Sequence, residues 1–194
     1  SISEWSVSWP QQRAGLFLGT VLYGAGVGTL FALAFALCRG RIESRDDWQL
    51  ATRLAAILFA AVVLVPFLKY PANPPGVGDP QTITDRTWQY LAMVAGSVVA
   101  LWAAVRVRAR VAEDLPWKRP LAGAGTFVVL AALLHLGMPD LDEVPADFPA
   151  TLLWEFRLSS LGTQAVLWST LGAAYGVLSL RAARTQVPAP AVGA

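Results

Sequence analysis

The sequence is poor in the residues that build disulfide frameworks and metal clusters. It contains one cysteine, Cys38, and one histidine, His135, in 194 residues. These counts exclude an intrachain disulfide and the paired Cys and His spacings of structural zinc sites. The chain also lacks a glycine-rich phosphate loop, a GxSxG motif and an HExxH motif. We therefore expect no autonomous ATPase, no hydrolase and no other enzyme.

Charge is scarce as well. Charged residues make up 14% of the chain and hydrophobic residues 55%, with a mean hydropathy of +0.50. Soluble domains carry about a quarter charged residues, so this composition is typical of a protein in a lipid bilayer. The net charge of +2 is too small to indicate a nucleic-acid partner.

The chain does contain five apolar segments of membrane length, at about 14–38, 52–68, 88–105, 120–137 and 161–180. The shortest makes about 25 Å of helix, enough for a thin hydrocarbon core. We therefore expect an all-α membrane protein, with five transmembrane helices bundled in a single membrane domain over residues 1–184. A disordered tail is expected at 185–194. Because the chain starts without methionine, a sixth, N-terminal span absent from this chain is an open alternative.

Basic residues alternate in number from one connection to the next. The connections at 39–53 and 106–119, with the end of the chain, carry eleven of the fifteen Lys and Arg residues. Positive charge marks the cytoplasmic side of a membrane protein. The N-terminus is therefore predicted outside and the C-terminus inside.

Two unusual connections then fall on the outer side. The first, "KYPANPPGVGDP" from Lys69 to Pro80, holds four prolines and two glycines, and the second, Met138 to Ser160, is acidic and proline-rich. Such a stiff segment cannot continue a helix, so we expect the two connections to pack together as a fixed surface. The residues assigned to this structural role are Lys69, Pro71, Pro74, Pro75, Gly76, Gly78, Asp79 and Arg157.

Two features of these connections carry specific expectations. Lys69 and Arg157 either snorkel to lipid headgroups or form a salt bridge across the connections, for example with Asp79 or Glu143. The stretch "ADFPATLLWEFRL" is amphipathic and predicts a short helix lying in the membrane interface, with Ser159 and Ser160 as N-caps of the span that follows.

The segments "FLKYPANPPGVGDP" and "EVPADFPATLLWEFRLSSLGTQAVLW" resemble CbtA, a family of predicted cobalt transporter subunits, over about Leu16 to Gly176. The resemblance implies a multi-pass protein of the bacterial plasma membrane that takes part in cobalt uptake. It also implies a small single-span partner of the CbtB type with a histidine-rich tail. The chain departs from the family pattern at Gln81, where a glutamate is common, and at Asp85, which precedes Arg86 where a basic pair is common. No ion-binding role is therefore carried over to those two positions.

A divalent metal such as Co²⁺ takes nitrogen and oxygen ligands. Candidate ligands stand together at the outer end of the fourth span, namely His135, Asp140, Asp142 and Glu143. The alternative is that the histidine packs in the bundle and the acids are solvated. No tightly bound cofactor is expected, only Co²⁺ in transit.

A pathway through the bilayer needs polar side chains within a span. An uncharged glutamine in hydrocarbon must face a partner helix or a wet cavity, so Gln164, with Thr163 beside it, is the candidate pathway lining. Two functions stay open: a metal-ion permease subunit, or a non-transporting scaffold or accessory subunit of a larger membrane complex.

Overall fold

The structure, a computed structural model, describes residues 8–42, 44–112, 114–141 and 143–185. These residues form five helices and contain no strand. In chain order the helices are α1 (Trp9–Cys38), α2 (Asp47–Lys69), α3 (Ile83–Arg110), α4 (Lys118–Gly137) and α5 (Ala150–Thr185). Each predicted span lies within one of these helices. The candidate ligand Asp142 and the predicted tail beyond Thr185 lie outside the described residues.

Among the described residues, four helical segments are long and apolar enough to cross a membrane. They are α1, α2, α4, and α3 together with the 3₁₀ turn Pro80–Thr82 that precedes it. The 36-residue helix α5 is not among these four segments. The all-helical fold is confirmed for the described residues, four of whose helical segments could cross a membrane by length and composition. The fifth span and the orientation stay predictions.

The segment expected to form a separate interfacial helix is instead the first part of α5. This helix runs without interruption from Ala150 to Thr185. Ser159 and Ser160 are therefore interior positions rather than N-caps, and the Ser159 carbonyl accepts a hydrogen bond from the Thr163 hydroxyl at 2.8 Å. No proline or glycine separates the amphipathic stretch from the residues that follow, so the helix continues once begun.

Helix α2 contains a π-helical turn, Ala60–Leu64, which ends two residues before Pro66. Within it the Val65 N–H donates to the Ala60 carbonyl, five residues earlier. In this register the next donor would be Pro66, which has no N–H, so the Ala61 carbonyl receives no bond from its own helix. Ser97 of α3 supplies the missing donor, with its hydroxyl oxygen 2.5 Å from the Ala61 carbonyl oxygen.

The chain divides into two compact units, the first made of residues up to Ala55 and from Leu167 onward. In this unit small residues let helices approach closely. A Cβ added to Gly172 would lie 2.8 Å from the Ala55 Cβ, and one added to Gly176 would lie 2.8 Å from the Trp48 ring. The glycine pair of α5 is therefore a packing feature, as its four-residue spacing predicts.

The second unit, Ala56–Val166, contains both connections. Here α3 and α4 pack antiparallel: a Cβ on Gly96 would lie 2.8 Å from Leu134, and one on Gly123 would lie 3.2 Å from the Arg108 side chain. The apolar core beside them is centred on the fully buried Met93. Its other members are Val65 and Ala131, with Tyr70, Phe127, Leu134 and Met138 packed around them.

Candidate functional site between two connections

Two connecting segments of the second unit meet where α2 and α4 end. The first connection comprises residues 70–79 and the second comprises residues 138–149, of which 142 is not described. Lys69 Nζ lies 2.5 Å from Asp140 Oδ1, and the Tyr70 hydroxyl donates to the Pro139 carbonyl at 2.7 Å. The two connections are thus joined directly after the helices that lead into them.

The Lys69–Asp140 pair combines a largely buried cation with an exposed anion. The Lys69 side chain is 11% exposed and the Asp140 side chain 94%. The carboxylate therefore keeps most of its hydration, while the ammonium has exchanged water for protein contacts. One face of Asp140 stays open to the medium.

Tyr70 stands beside this pair and is held in its protonated form. Burial raises the pKa of the Tyr70 phenol, the Lys69 ammonium lowers it, and the Asp140 carboxylate raises it, with burial the largest effect. The phenol therefore remains the donor in its hydrogen bond to Pro139.

Glu143, in the second connection, contacts two residues at the start of α3. Its Oε1 accepts a hydrogen bond from the Thr82 hydroxyl at 2.5 Å, and its Oε2 lies 2.9 Å from Arg86 Nη1. Arg86 also donates from Nη2 to the Asp79 carbonyl at 3.1 Å. Thr82 and Arg86 are four residues apart and share one helix face, so both reach the same carboxylate.

The shape of the first connection depends on two glycines. Gly76 has φ +83° in a turn closed by the Val77 N–H donating to the Pro74 carbonyl at 3.1 Å, with Pro75 before it. This is the arrangement of a type II turn, which takes proline and then glycine at its centre.

Gly78 has φ +108°, and its backbone lies against the ion pair of the second connection. A Cβ at this position would lie 2.8 Å from Glu143 Oε2 and 3.1 Å from Arg86 Cζ. Both the backbone angle and the close approach therefore require glycine here.

These contacts enclose a small cleft, here called the connection cleft, of about 270 Å³. Its lining consists of Tyr70, Pro71, Asn73, Val77, Arg86, Tyr90, Leu141, Glu143, Val144 and Arg157. Arg157 of α5 donates from Nη2 to the Asn73 side-chain oxygen at 3.0 Å. The Nε atoms of Arg86 and Arg157 are buried and have no hydrogen-bond partner among the described residues.

The salt bridges differ from the examples suggested by the sequence. Lys69 meets Asp140 rather than Asp79 or Glu143, and Glu143 meets Arg86. The Asp79 side chain instead accepts a hydrogen bond from the Gln81 N–H at 2.8 Å and caps the turn that leads into α3. Arg157 is bound by a neutral amide.

The four candidate metal ligands are not brought together into one described cluster. Asp140 and Glu143 each face a cation, and Asp142 lies outside the described residues. No group of three or more His, Cys, Asp or Glu side chains that could hold a metal ion is found within residues 8–42, 44–112, 114–141 and 143–185. The metal-ligand assignment stays a prediction.

The His135 ring contacts its own helix through one of its two nitrogens. Its Nδ1 lies 2.8 Å from the Ala131 carbonyl oxygen, and because a carbonyl oxygen only accepts, Nδ1 is the donor in this contact. The Nε2 atom is buried and has no hydrogen-bond partner in the described part of the chain.

The two pathway candidates differ in their surroundings. Gln164 is half-buried, whereas Thr163 is exposed and its hydroxyl donates to the Ser159 carbonyl of its own helix. That bond satisfies the threonine hydroxyl locally, so of the two only the glutamine is turned partly inward.

Four site residues were not singled out from the sequence: Tyr70, Asn73, Thr82 and Arg86. Tyr70 and Asn73 lie inside the proline-rich segment. Its prolines and glycines are recognisable as a turn-forming pattern, but its polar side chains follow no pattern that would mark them as site residues. The four-residue spacing of Thr82 and Arg86 indicates that they share a helix face. The sequence alone does not show which residue they contact. A carboxylate on another segment completes their site.

Comparisons with known proteins identify one family. The family model described as "Probable cobalt transporter subunit (CbtA)" matches residues 3–179 of the chain, a range that includes both connections. The resemblance found in the sequence is thereby confirmed. No curated protein and no solved structure matches the chain.

Proposed function

Because the chain belongs to the CbtA family of probable cobalt transporter subunits, we propose that it is the membrane-embedded subunit of a cobalt uptake transporter in a bacterial plasma membrane. The observation that carries this function is the family match over residues 3–179. Four helical segments long and apolar enough to cross a bilayer support it. A transporter subunit of this kind is not an enzyme in the usual sense.

The working topology has five spans, with α5 as the fifth, the N-terminus outside and the C-terminus inside. The distribution of Lys and Arg supports this orientation, and it puts both connections on the outer face. The small single-span partner with a histidine-rich tail captures the ion, and this chain conducts it. The polar side chains of Thr163 and Gln164 in α5 agree with this role, since a pathway needs polar side chains at membrane depth.

The ion is drawn in by the carboxylates of the second connection, Asp140, Asp142 and Glu143. Clustered carboxylates beside a low-dielectric region raise the local concentration of divalent cations. The ion must compete with Lys69 for Asp140 and with Arg86 for Glu143. Such a weak site suits transport, because an ion in a complete ligand cage would not leave.

From the connections the ion passes the Nε2 atom of His135, which has no hydrogen-bond partner among the described residues, and then Gln164. A neutral imidazole is a good nitrogen ligand for Co²⁺. The Nδ1 bond to Ala131 supports this step, since it aims the second nitrogen away from its own helix backbone.

Metal accumulation in cells tests the function. Cells that express the chain with its single-span partner should accumulate several times more cobalt than cells with either protein alone, at matched membrane abundance. Asp140→Asn should raise the cobalt concentration needed for half-maximal uptake, and Lys69→Met, which frees the carboxylate, should lower it. Asp147→Asn, an exposed acid of the same connection, is the matched control. Equal accumulation in all strains contradicts the function.

One observation favours the second candidate, a non-transporting scaffold. Asp140 and Glu143 hold the two connections together through Lys69, Arg86 and Thr82, which is the behaviour of a structural surface. A scaffold predicts that charge-neutralising variants at these positions weaken assembly with the partner. The uptake parameters measured on the assembled complex would then stay unchanged.

A further inference from the structure

We propose that the connection cleft binds a small carboxylate anion. The cleft is lined by two cationic side chains, Arg86 and Arg157, and by one anionic side chain, Glu143. Glu143 pairs with Arg86 at 2.9 Å. Within the described residues, Arg157 is hydrogen-bonded to the neutral amide of Asn73 and forms no salt bridge. The described lining therefore carries an excess of positive charge.

The two guanidinium groups still have hydrogen bonds to give. The Nε–H of Arg86 and that of Arg157 are buried and have no partner among the described residues. A guanidinium presents its N–H groups as a planar fork that matches the two oxygens of a carboxylate. A bound carboxylate would satisfy the Arg157 fork and balance its charge.

The dimensions and the walls of the cleft define the ligand further. At about 270 Å³ the cleft is smaller than a typical drug-binding pocket, so it suits a molecule of a few carbon atoms. Val77, Leu141 and Val144 provide apolar wall surface. A carboxylic acid has a carbon skeleton to lay against these side chains, whereas inorganic phosphate has none.

The role of such a site rests on the proposed function, because polycarboxylates are chelators of divalent metals. A metal ion held by a polycarboxylate would reach the connections as a complex whose free carboxylate meets Arg157. The cleft thus gives the transporter a means to accept chelated metal. Binding of the anion itself is measurable without any transport.

Isothermal titration of citrate into the full chain, purified in detergent in metal-depleted buffer, tests the inference. Saturable binding is expected, and Arg157→Gln should weaken it at least tenfold, with Arg157→Lys in between. Glu143→Gln should strengthen it, because a repelling charge is removed. A gain in affinity cannot come from misfolding. Arg181→Gln, an exposed arginine elsewhere on α5, should leave affinity unchanged.

Absence of citrate binding, binding that Arg157→Gln leaves intact, or a preference for inorganic phosphate over citrate would each overturn the carboxylate assignment. Cobalt accumulation in cells is scored separately. Cobalt uptake without citrate binding removes the anion site and leaves the proposed function standing. Citrate binding without cobalt uptake leaves the anion site standing and removes the proposed function.

Discussion

The hydroxyl oxygen of Ser97 lies 2.5 Å from the carbonyl oxygen of Ala61, and both residues are fully buried. The contact joins the middle of α3 to the π-helical turn of α2. Pro66 explains it, since a residue without an N–H leaves the Ala61 carbonyl without a donor from its own helix. Helix α3 thus satisfies a defect that the proline creates in α2.

Removal of this donor should destabilise the protein. Ser97→Ala leaves a buried carbonyl without a partner, and we expect a loss of about 1–2 kcal/mol in the free energy of unfolding. Ser159→Ala, an exposed serine of α5, is the matched control and should have little effect. In a Pro66→Ala background, where an N–H returns, Ser97→Ala should cost less. An equal cost in both backgrounds, measured by denaturant unfolding in detergent, contradicts the explanation.

The two glycines of the first connection allow the energetic cost of a positive φ to be separated from the cost of a side-chain clash. Gly76→Ala imposes only the positive φ, at a cost of about 1–2 kcal/mol, because an added Cβ meets no atom within 4 Å. Gly78→Ala adds a clash with Arg86 and Glu143 and should cost clearly more. Thermal unfolding of both variants measures the difference. Equal midpoints would show that the ion pair does not depend on the close approach.

Stability should depend on Tyr70 at alkaline pH. Because the folded-state pKa of Tyr70 is raised above its ordinary value, the folded protein holds this proton more tightly than the unfolded chain does. The resulting stabilisation is fully present below about pH 10 and is lost as the pH rises through the folded pKa. Unfolding free energies over this range should fall less steeply for Tyr70→Phe than for the natural chain. Identical slopes would contradict the role of the phenol.

The orientation predicts which positions an impermeant thiol reagent reaches in intact cells. With Cys38→Ser as background, Val77→Cys and Ala146→Cys should be labelled from outside. Ser44→Cys and Leu115→Cys should be labelled only after the membrane is permeabilised. The opposite pattern would invert the topology and put both connections on the cytoplasmic side.

The helices could be predicted from the sequence because long apolar runs have few other stable states in lipid. The start of α5 could not be predicted from the sequence. Its first residues, Ala150 to Phe156, are amphipathic, and this pattern is shared by an interfacial helix and by the exposed end of a long one. The one sequence feature that favours the long helix over a separate interfacial helix is the absence of a helix-breaking residue between Ala150 and Ser160. This feature is only a weak indication.

At the site, the meeting of the two connections could be predicted, but the partners within it could not. Lys69 ends α2 and Asp140 follows α4 by three residues, so their contact depends on how far each helix extends. Asp79 was an equally reasonable partner for Lys69 from charge alone, yet it serves as a cap for the turn before α3. Such choices are set by helix ends, which are the least predictable feature of a sequence.

Transport itself is tested most directly with purified components. The chain and its single-span partner are reconstituted into lipid vesicles, and uptake of radiolabelled Co²⁺ is followed under an imposed inside-negative potential. We predict accumulation at least several times that of empty vesicles, released by an ionophore, and a strong reduction when Asp140, Asp142 and Glu143 are all neutralised. Uptake equal to that of empty vesicles, with both proteins present and correctly inserted, would contradict the assignment as a transporter subunit.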